Sequence, residues 1–118
     1  MIDRIRAFDP DLLGIQECMD DSQAAYLKRH LKEWEFYGVR TEDAEWPLEM
    51  APILFKRHAF DQVDRGCFWL SARPGVPGTK SWGGAMARTA AWATLRPRAD
   101  GRSLVAARRC AASTAPAP

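Results

Sequence analysis

The sequence lacks the marks of a membrane protein, a disulfide-stabilised protein or a zinc protein. No apolar stretch approaches the roughly 20 residues that span a bilayer, and charge interrupts the opening segment Met1-Ile2-Asp3-Arg4-Ile5 at once, unlike a signal peptide. The cysteines Cys18, Cys67 and Cys110 are too far apart to form a zinc knuckle or a redox pair. We therefore predict no transmembrane segment and expect each cysteine to be a small apolar filler.

A strong charge of one sign is also missing. The formal net charge of the 118 residues is +2, which gives no strong attraction to nucleic acid or to an anionic membrane. With 47% apolar and 27% charged residues, the composition is that of an ordinary globular protein with one domain. No obligate protein partner is evident. We expect a cytoplasmic location by default, although an export signal missing ahead of Met1 would change that.

Hydrophobic spacing and turn residues predict short helices and strands of an α/β protein. Ile2, Ile5 and Phe8 recur at helical spacing, and Asp9-Pro10 ends this first helix. A second helix begins at the N-cap candidates Asp20-Asp21-Ser22 and runs to about Glu33. Strands are predicted at residues 11–16 (buried), 35–39, 51–55, 60–70 and 88–95, and another begins at Leu104.

Two segments differ from this pattern. Residues 73–84 are rich in glycine and proline and are expected to form a long loop, while Arg65-Gly66 predicts a turn or bulge within the preceding strand. From Ala107 the chain has almost no large apolar residue and reads as a disordered tail. The predicted division is therefore a domain at residues 1–106 and a tail at residues 107–118.

Glu17 is the first candidate for chemistry because it directly follows a predicted buried strand. Ligands of open α/β sheets bind beyond the carboxyl ends of strands, and a carboxylate there can hold a hard divalent cation, which prefers oxygen ligands. The alternative is a carboxylate that caps the next helix or is exposed in the turn.

Several segments resemble the endonuclease/exonuclease/phosphatase superfamily, in the family's order. Asp11-Leu12-Leu13-Gly14-Ile15-Gln16-Glu17 resembles its "DLLGLQE" segment, and Glu49-Met50-Ala51-Pro52-Ile53-Leu54-Phe55 resembles "E-x-x-P-I-F-Y". Gly66-Cys67-Phe68-Trp69-Leu70-Ser71 is similar to "G-x-F-W-L-S". Further along, Lys80-Ser81-Trp82-Gly83 and Arg88-Thr89-Ala90-Ala91-Trp92 match "K-x-W" and "R-x-A-x-W".

The resemblance implies a metal-dependent phosphoesterase of the bacterial branch that is similar to deadenylases and sphingomyelinase-like enzymes. The implied fold is a partial four-layer α/β sandwich, consisting mainly of the first sheet with its helices. By resemblance Glu17 is a ligand of Mg²⁺ or Mn²⁺, and the partner is a phosphate-containing substrate: nucleic acid, a nucleotide or a phospholipid headgroup. Hydrolysis would proceed by attack of metal-activated water on a phosphodiester or phosphomonoester.

The departures from the family's pattern concern most of its catalytic residues. The family begins with an Asn-bearing strand that precedes the segments present here, and it continues with Asn-Thr-His where this chain reads Ala107-Arg108-Arg109. His30 and His58 are expected to be solvated surface residues and not replacements. We therefore expect a domain truncated at both ends, with weak or absent activity. The alternatives are a non-catalytic truncated gene product and a weak nucleotide- or phosphate-binding module.

The resemblance implies two further residues that would help to bind the substrate. Glu49 would lie in a loop at the rim of the site, and the planar guanidinium of Arg88 would reach a substrate phosphate. The alternative is a structural salt bridge that these residues make with each other or with neighbours. Trp69 and Trp82 are suited to stacking on a base or sugar, or else to packing in the core or loop. The pair Arg108-Arg109 would contact nucleic acid or simply solubilise the tail.

Overall fold

The computed structural model describes residues 1–98 and the backbone of residues 104–109, and it has the predicted α/β class. The elements in chain order are α1 (Ile2–Phe8), β1 (Leu12–Gly14), α2 (Asp21–His30), β2 (Trp34–Tyr37), β3 (Ile53–Lys56), β4 (Phe60–Trp69), β5 (Thr89–Pro97) and β6 (Leu104–Arg109). Neither of the described helices has the length and apolar character that crossing a membrane requires.

The described strands form two antiparallel sheets of three strands each. In the first sheet β3 lies between β1 and β2, so that Leu54 is paired with Leu13 on one side and Phe36 on the other. In the second sheet β5 lies between β4 and β6. The strand predicted to begin at Leu104 is confirmed: β6 pairs with β5 and continues to Arg109. Residues 107–109 are thus strand and not tail, and residues 110–118 lie outside the described part.

Both helices follow from local sequence signals. Asp9 ends α1 in the left-handed conformation with φ of 53°, and its backbone N–H donates to Ile5 O at 2.8 Å. Asp20 caps α2, because its carboxylate accepts the N–H of Gln23 at 2.8 Å. The predicted extension of α2 to Glu33 is wrong: Leu31 leaves the helical region, and the N–H of Trp34 turns back to Leu31 O.

The main core lies between α2 and the first sheet. It consists of Ile2, Cys18, Ala24, Leu27, Leu31, Trp34, Met50 and Leu54. A second cluster around Phe55, Ala93 and Leu95 belongs to the hairpin and the adjacent strand β3. The buried residues of α2, Ala24 and Leu27, are three positions apart and so lie on one face of the helix.

The strand that precedes Glu17 is less buried than predicted. Leu12 is 39% exposed, Leu13 is half-buried and Gly14 is exposed. The reason is that β1 is short and, among the described strands, pairs only with β3. The apolar run 12–15 is typical of a buried strand, but its burial here is partial.

The irregularity in β4 also differs in position from the prediction. The register shifts between Gln62 and Asp64, whereas Gly66 stays paired with Trp92. A Cβ atom on Gly66 would lie 2.7 Å from the Trp92 ring. The glycine is therefore needed for the close approach of an indole and not for a bulge.

Candidate active site at the junction of the two sheets

The segment between β2 and β3 is a loop that closes on itself. The Thr41 hydroxyl donates to Trp46 O at 2.7 Å, and the Thr41 N–H donates to Glu49 O at 2.8 Å. One carboxylate oxygen of Asp43, Oδ1, accepts the N–H groups of Glu45 at 2.8 Å and Trp46 at 3.3 Å. These bonds give the loop a defined shape although it contains no regular element.

Three contacts fasten this loop to the second sheet. The Trp69 indole donates to Thr41 O at 2.6 Å, and the Ala87 N–H donates to Asp43 Oδ2 at 2.6 Å. At Gly78, whose φ is +76°, a Cβ would lie 2.7 Å from Glu42 O. The long loop between β4 and β5 therefore approaches the first loop closely enough that a side chain at residue 78 would collide with backbone.

Glu49 and Arg88 meet at this junction. Arg88 Nη1 lies 3.4 Å from Glu49 Oε2, and the side chains are only 12% and 3% exposed. The Arg88 carbonyl accepts the N–H of Leu70 at 2.8 Å, which fixes the backbone immediately before β5. The structure thus contains the salt bridge that was one of the two alternatives for these residues. Its position at the junction is also compatible with the other alternative, support of a substrate phosphate.

Glu17 lies on the chain segment next to this pair. Its neighbour Cys18 forms an isolated antiparallel bridge with Met50, the residue after Glu49, through N–H···O bonds of 3.0 and 2.8 Å. The backbones that carry Glu17 and Glu49 are therefore adjacent. All three residues singled out by sequence come from segments that converge at this end of the first sheet.

The Glu17 side chain is exposed and its backbone is strained. Its φ of 54° is left-handed, which costs a residue with a Cβ about 1–2 kcal/mol. It lines an open cleft of about 610 Å³ together with Gln16, Ser22, Gln23, Tyr26 and Arg29. Met1, Ile15 and Leu27 also line this cleft, whose surface is mainly apolar, and Glu49 and Arg88 are not part of its lining. The exposed Glu17 carboxylate is the anionic group in the cleft that can bind a cation.

The ligand atoms present in the described residues meet the needs of the implied metal ion only in part. Mg²⁺ takes six oxygen ligands and usually keeps several waters. Glu17 can supply one carboxylate, but within the described residues no three His, Cys, Asp or Glu side chains are grouped so that they could hold a metal ion. The described residues therefore do not complete a metal site.

The aromatic candidates differ sharply from each other. Trp69 is 7% exposed, packs at the junction and uses its indole N–H there, so its role is structural. Trp82 is 72% exposed and has a φ of 57°. Of the histidines, His58 is exposed as expected, whereas His30 is half-buried with its ring 4.4 Å from that of Tyr26.

Sequence reasoning missed Asp43, which lies between the predicted strands at residues 35–39 and 51–55. It is 4% exposed, and the Ala87 N–H lowers the pKa of its carboxyl most, with smaller contributions from the N–H groups of Glu45 and Trp46 and from Lys80. An aspartate two residues before Glu45 is a signal for a local turn. The bond to Ala87, 44 residues away, has no local signal in the sequence.

No protein-family profile and no curated protein matches this sequence, but solved structures match it closely. An endonuclease/exonuclease/phosphatase protein from Bacteroides vulgatus is 27% identical with a TM-score of 0.85, and the match covers 92% of this chain and 41% of that one. A family protein from Bacteroides thetaiotaomicron is 28% identical with a TM-score of 0.83, and the match covers 92% and 39%.

A mannosyl-6-phosphatase from Bacteroides thetaiotaomicron is also similar. It is 26% identical with a TM-score of 0.83, and the match covers 92% of this chain and 40% of that one. The chain thus spans about 40% of the length of these solved structures. The resemblance read from the sequence motifs is confirmed, and with it the α/β sandwich to which these two sheets correspond.

Proposed function

Because the chain has the fold of the endonuclease/exonuclease/phosphatase superfamily over the part that it spans, we propose that its function is metal-dependent phosphoester hydrolysis, of a phosphodiester or a phosphomonoester. The observation that carries this proposal is the convergence of three segments at one end of the first sheet. They bear Glu17, Glu49 and Arg88. The similarity to a mannosyl-6-phosphatase supports a substrate with a phosphate group.

Glu17 is proposed as a ligand of Mg²⁺ or Mn²⁺. Its carboxylate is exposed in the cleft, and its strained backbone is of the kind that clusters at functional sites. A bound ion would supply neutralisation of phosphate charge and a lower pKa for its water. Because no three His, Cys, Asp or Glu side chains are grouped for this purpose among the described residues, the ion would be held weakly and mostly by water.

Arg88 is proposed to bind the substrate phosphate, and Glu49 to orient it. A guanidinium presents parallel N–H donors that match phosphate oxygens, so its value depends on a fixed direction. The nearly buried Glu49 carboxylate at 3.4 Å supplies a partner that limits the rotamers of Arg88. The pair can therefore be both a structural salt bridge and a phosphate-binding device.

This chain alone is proposed to have weak or no turnover, because one carboxylate cannot fix the ion and the water together. A non-catalytic protein remains the second candidate on the same ground. The binding-module alternative now depends on Trp82, since Trp69 is buried.

The test combines metal binding with turnover for the full 118-residue chain. We expect weak Mn²⁺ binding by calorimetry that Glu17→Gln reduces at least about tenfold, because the substitution removes the anionic ligand and keeps its size. Glu33→Gln, at an exposed glutamate after α2, is the matched control and should bind Mn²⁺ as the unmodified chain does.

Hydrolysis of p-nitrophenyl phosphate and of bis-p-nitrophenyl phosphate is measured with Mg²⁺ and with Mn²⁺. Slow, metal-dependent turnover that Glu17→Gln abolishes supports the proposed chemistry. Mn²⁺ binding that survives Glu17→Gln rules out Glu17 as the ligand. Rapid turnover by the chain alone contradicts the proposed weakness and strengthens the assignment of phosphoesterase activity.

A further inference from the structure

Asp43 uses its two carboxylate oxygens for two different purposes. Oδ1 accepts the N–H groups of Glu45 and Trp46 and so closes a turn within its own loop. Oδ2 accepts the N–H of Ala87 at 2.6 Å, from the segment just before β5. With 4% exposure, the carboxylate makes these bonds largely out of water, where a charge-assisted hydrogen bond is strong.

The bond from Ala87 acts on the residue next to it. The Arg88 carbonyl accepts the Leu70 N–H, and β5 begins at the next residue, so the backbone on both sides of Arg88 is fixed. Its guanidinium pairs with Glu49. Glu49 belongs to the same loop as Asp43, and its carbonyl accepts the Thr41 N–H. Asp43 therefore joins the backbone that carries Arg88 to the loop that carries the partner of Arg88.

We propose that Asp43 is a positioning residue, whose carboxylate fixes the backbone at Ala87 so that the Arg88 guanidinium is directed at Glu49 and at an incoming phosphate. This inference rests on the proposed phosphate-binding role of Arg88. A bidentate donor must be held within a fraction of an ångström to be effective, and this is achieved through supporting hydrogen bonds. Asp43 bonds both to its own loop and to the backbone directly beside Arg88.

Substitutions of Asp43 test the two hydrogen-bonding roles of its carboxylate. Asp43→Asn has the same shape but one acceptor oxygen and no charge, so it cannot keep both the local turn and a charge-assisted bond from Ala87, and the Ala87 bond is weakened in either arrangement. Asp43→Ser keeps a short acceptor for the turn and cannot reach Ala87. Asp61→Asn is the control, because Asp61 is half-exposed on β4 and pairs with Arg98 outside the junction.

Two measurements on the full chain distinguish positioning from function. Without ligand, we expect Asp43→Asn and Asp43→Ser to increase hydrogen exchange at the Ala87 amide at least about tenfold and to broaden or shift the Arg88 Nε–H resonance. With inorganic phosphate as the probe, we expect them to weaken binding at least about fivefold, close to the effect of Arg88→Gln. Asp61→Asn should change neither quantity.

An unchanged Ala87 exchange rate and an unchanged Arg88 resonance in both variants would overturn the inference. Loss of the folded spectrum in both variants would also overturn it, since the carboxylate would then serve the whole fold. If the unmodified chain does not bind phosphate while the Arg88 resonance responds to Asp43→Asn, the positioning role stands and the proposed phosphate role of Arg88 fails.

Discussion

At the scale of single residues, the acids at the candidate site are in very different surroundings. Glu17 is exposed in a cleft, Glu49 is 3% exposed beside an arginine, and Asp43 is 4% exposed among backbone N–H groups. Only an acid with access to solvent can take up a hydrated cation without displacing a protein partner. This difference is why Glu17, and not its more buried neighbours, is the proposed metal ligand.

The surroundings of Asp43 predict how stability depends on pH. Because hydrogen bonds, that from Ala87 above all, lower the pKa of its carboxyl in the folded protein, its contribution to the free energy of unfolding is complete above the unfolded pKa of about 3.9. It is lost as pH falls through the lower folded value. We expect Asp43→Asn to cost about 1–3 kcal/mol near neutral pH, with a difference that shrinks below about pH 4.

Urea unfolding followed by circular dichroism between neutral and acidic pH measures this difference. Asp61→Asn serves again as the control, since an exposed ion pair contributes at most about 1 kcal/mol. A cost of Asp43→Asn that stays constant down to the lowest pH at which the chain folds would contradict the predicted role of the charge.

Local signals account for the residues that the sequence predicted well. Asp20 is an N-cap, Asp9 ends α1, and the alternating residues Thr89, Ala91, Ala93 and Leu95 of β5 are buried, as is Ala90. Each is decided by neighbours a few positions away. The bond from Ala87 to Asp43 joins residues that become neighbours only after both sheets have formed, so no spacing along the chain indicates it.

At the scale of elements, the pairing of β4 with β5 depends on one missing side chain. Trp92 lies over Gly66, where an added Cβ would be 2.7 Å from the ring. The sequence motif marked Gly66 as special but suggested a bulge, since glycine in a strand has that meaning more often. The space needed by the partner strand's indole could be seen only from the register.

We expect Gly66→Ala to lower the free energy of unfolding by about 1–3 kcal/mol, because the Trp92 ring must shift to admit the methyl group. Trp92→Leu, which removes the obstructing ring, should make a second Gly66→Ala substitution nearly neutral. Gly75→Ala is the matched control, since nothing lies within 4 Å of its added Cβ. Additive effects of Gly66→Ala and Trp92→Leu in urea unfolding would contradict the proposed contact.

At the scale of the whole molecule, two small sheets meet at the candidate site. The loop between β2 and β3 is bonded to the end of β4 and to the start of β5, so the junction depends on segments from most of the described chain. The α/β class and the order of motifs were predictable because each motif is local. The pairing of Glu49 with Arg88 was predicted only as one of two alternatives, a salt bridge or support of substrate, because it depends on how the sheets meet.

The bridge between Cys18 and Met50 has a further consequence, because Cys18, the residue after Glu17, carries a thiol. Cys18 is 2% exposed, and burial first, then Asp20 and Asp21, raises the pKa of its thiol. Alkylation requires both exposure and the thiolate. In a Cys67→Ser, Cys110→Ser background, we expect iodoacetamide to modify Cys18 at least about 100-fold more slowly than in urea.

The rate of that reaction, followed by mass spectrometry, measures how often the segment that carries the proposed metal ligand opens to solvent. Saturating Mn²⁺ should slow it further, because an ion held by Glu17 binds only the closed form. Labelling as fast as in urea would mean that the Cys18–Met50 bridge is open most of the time, and a rate indifferent to Mn²⁺ would count against binding at Glu17.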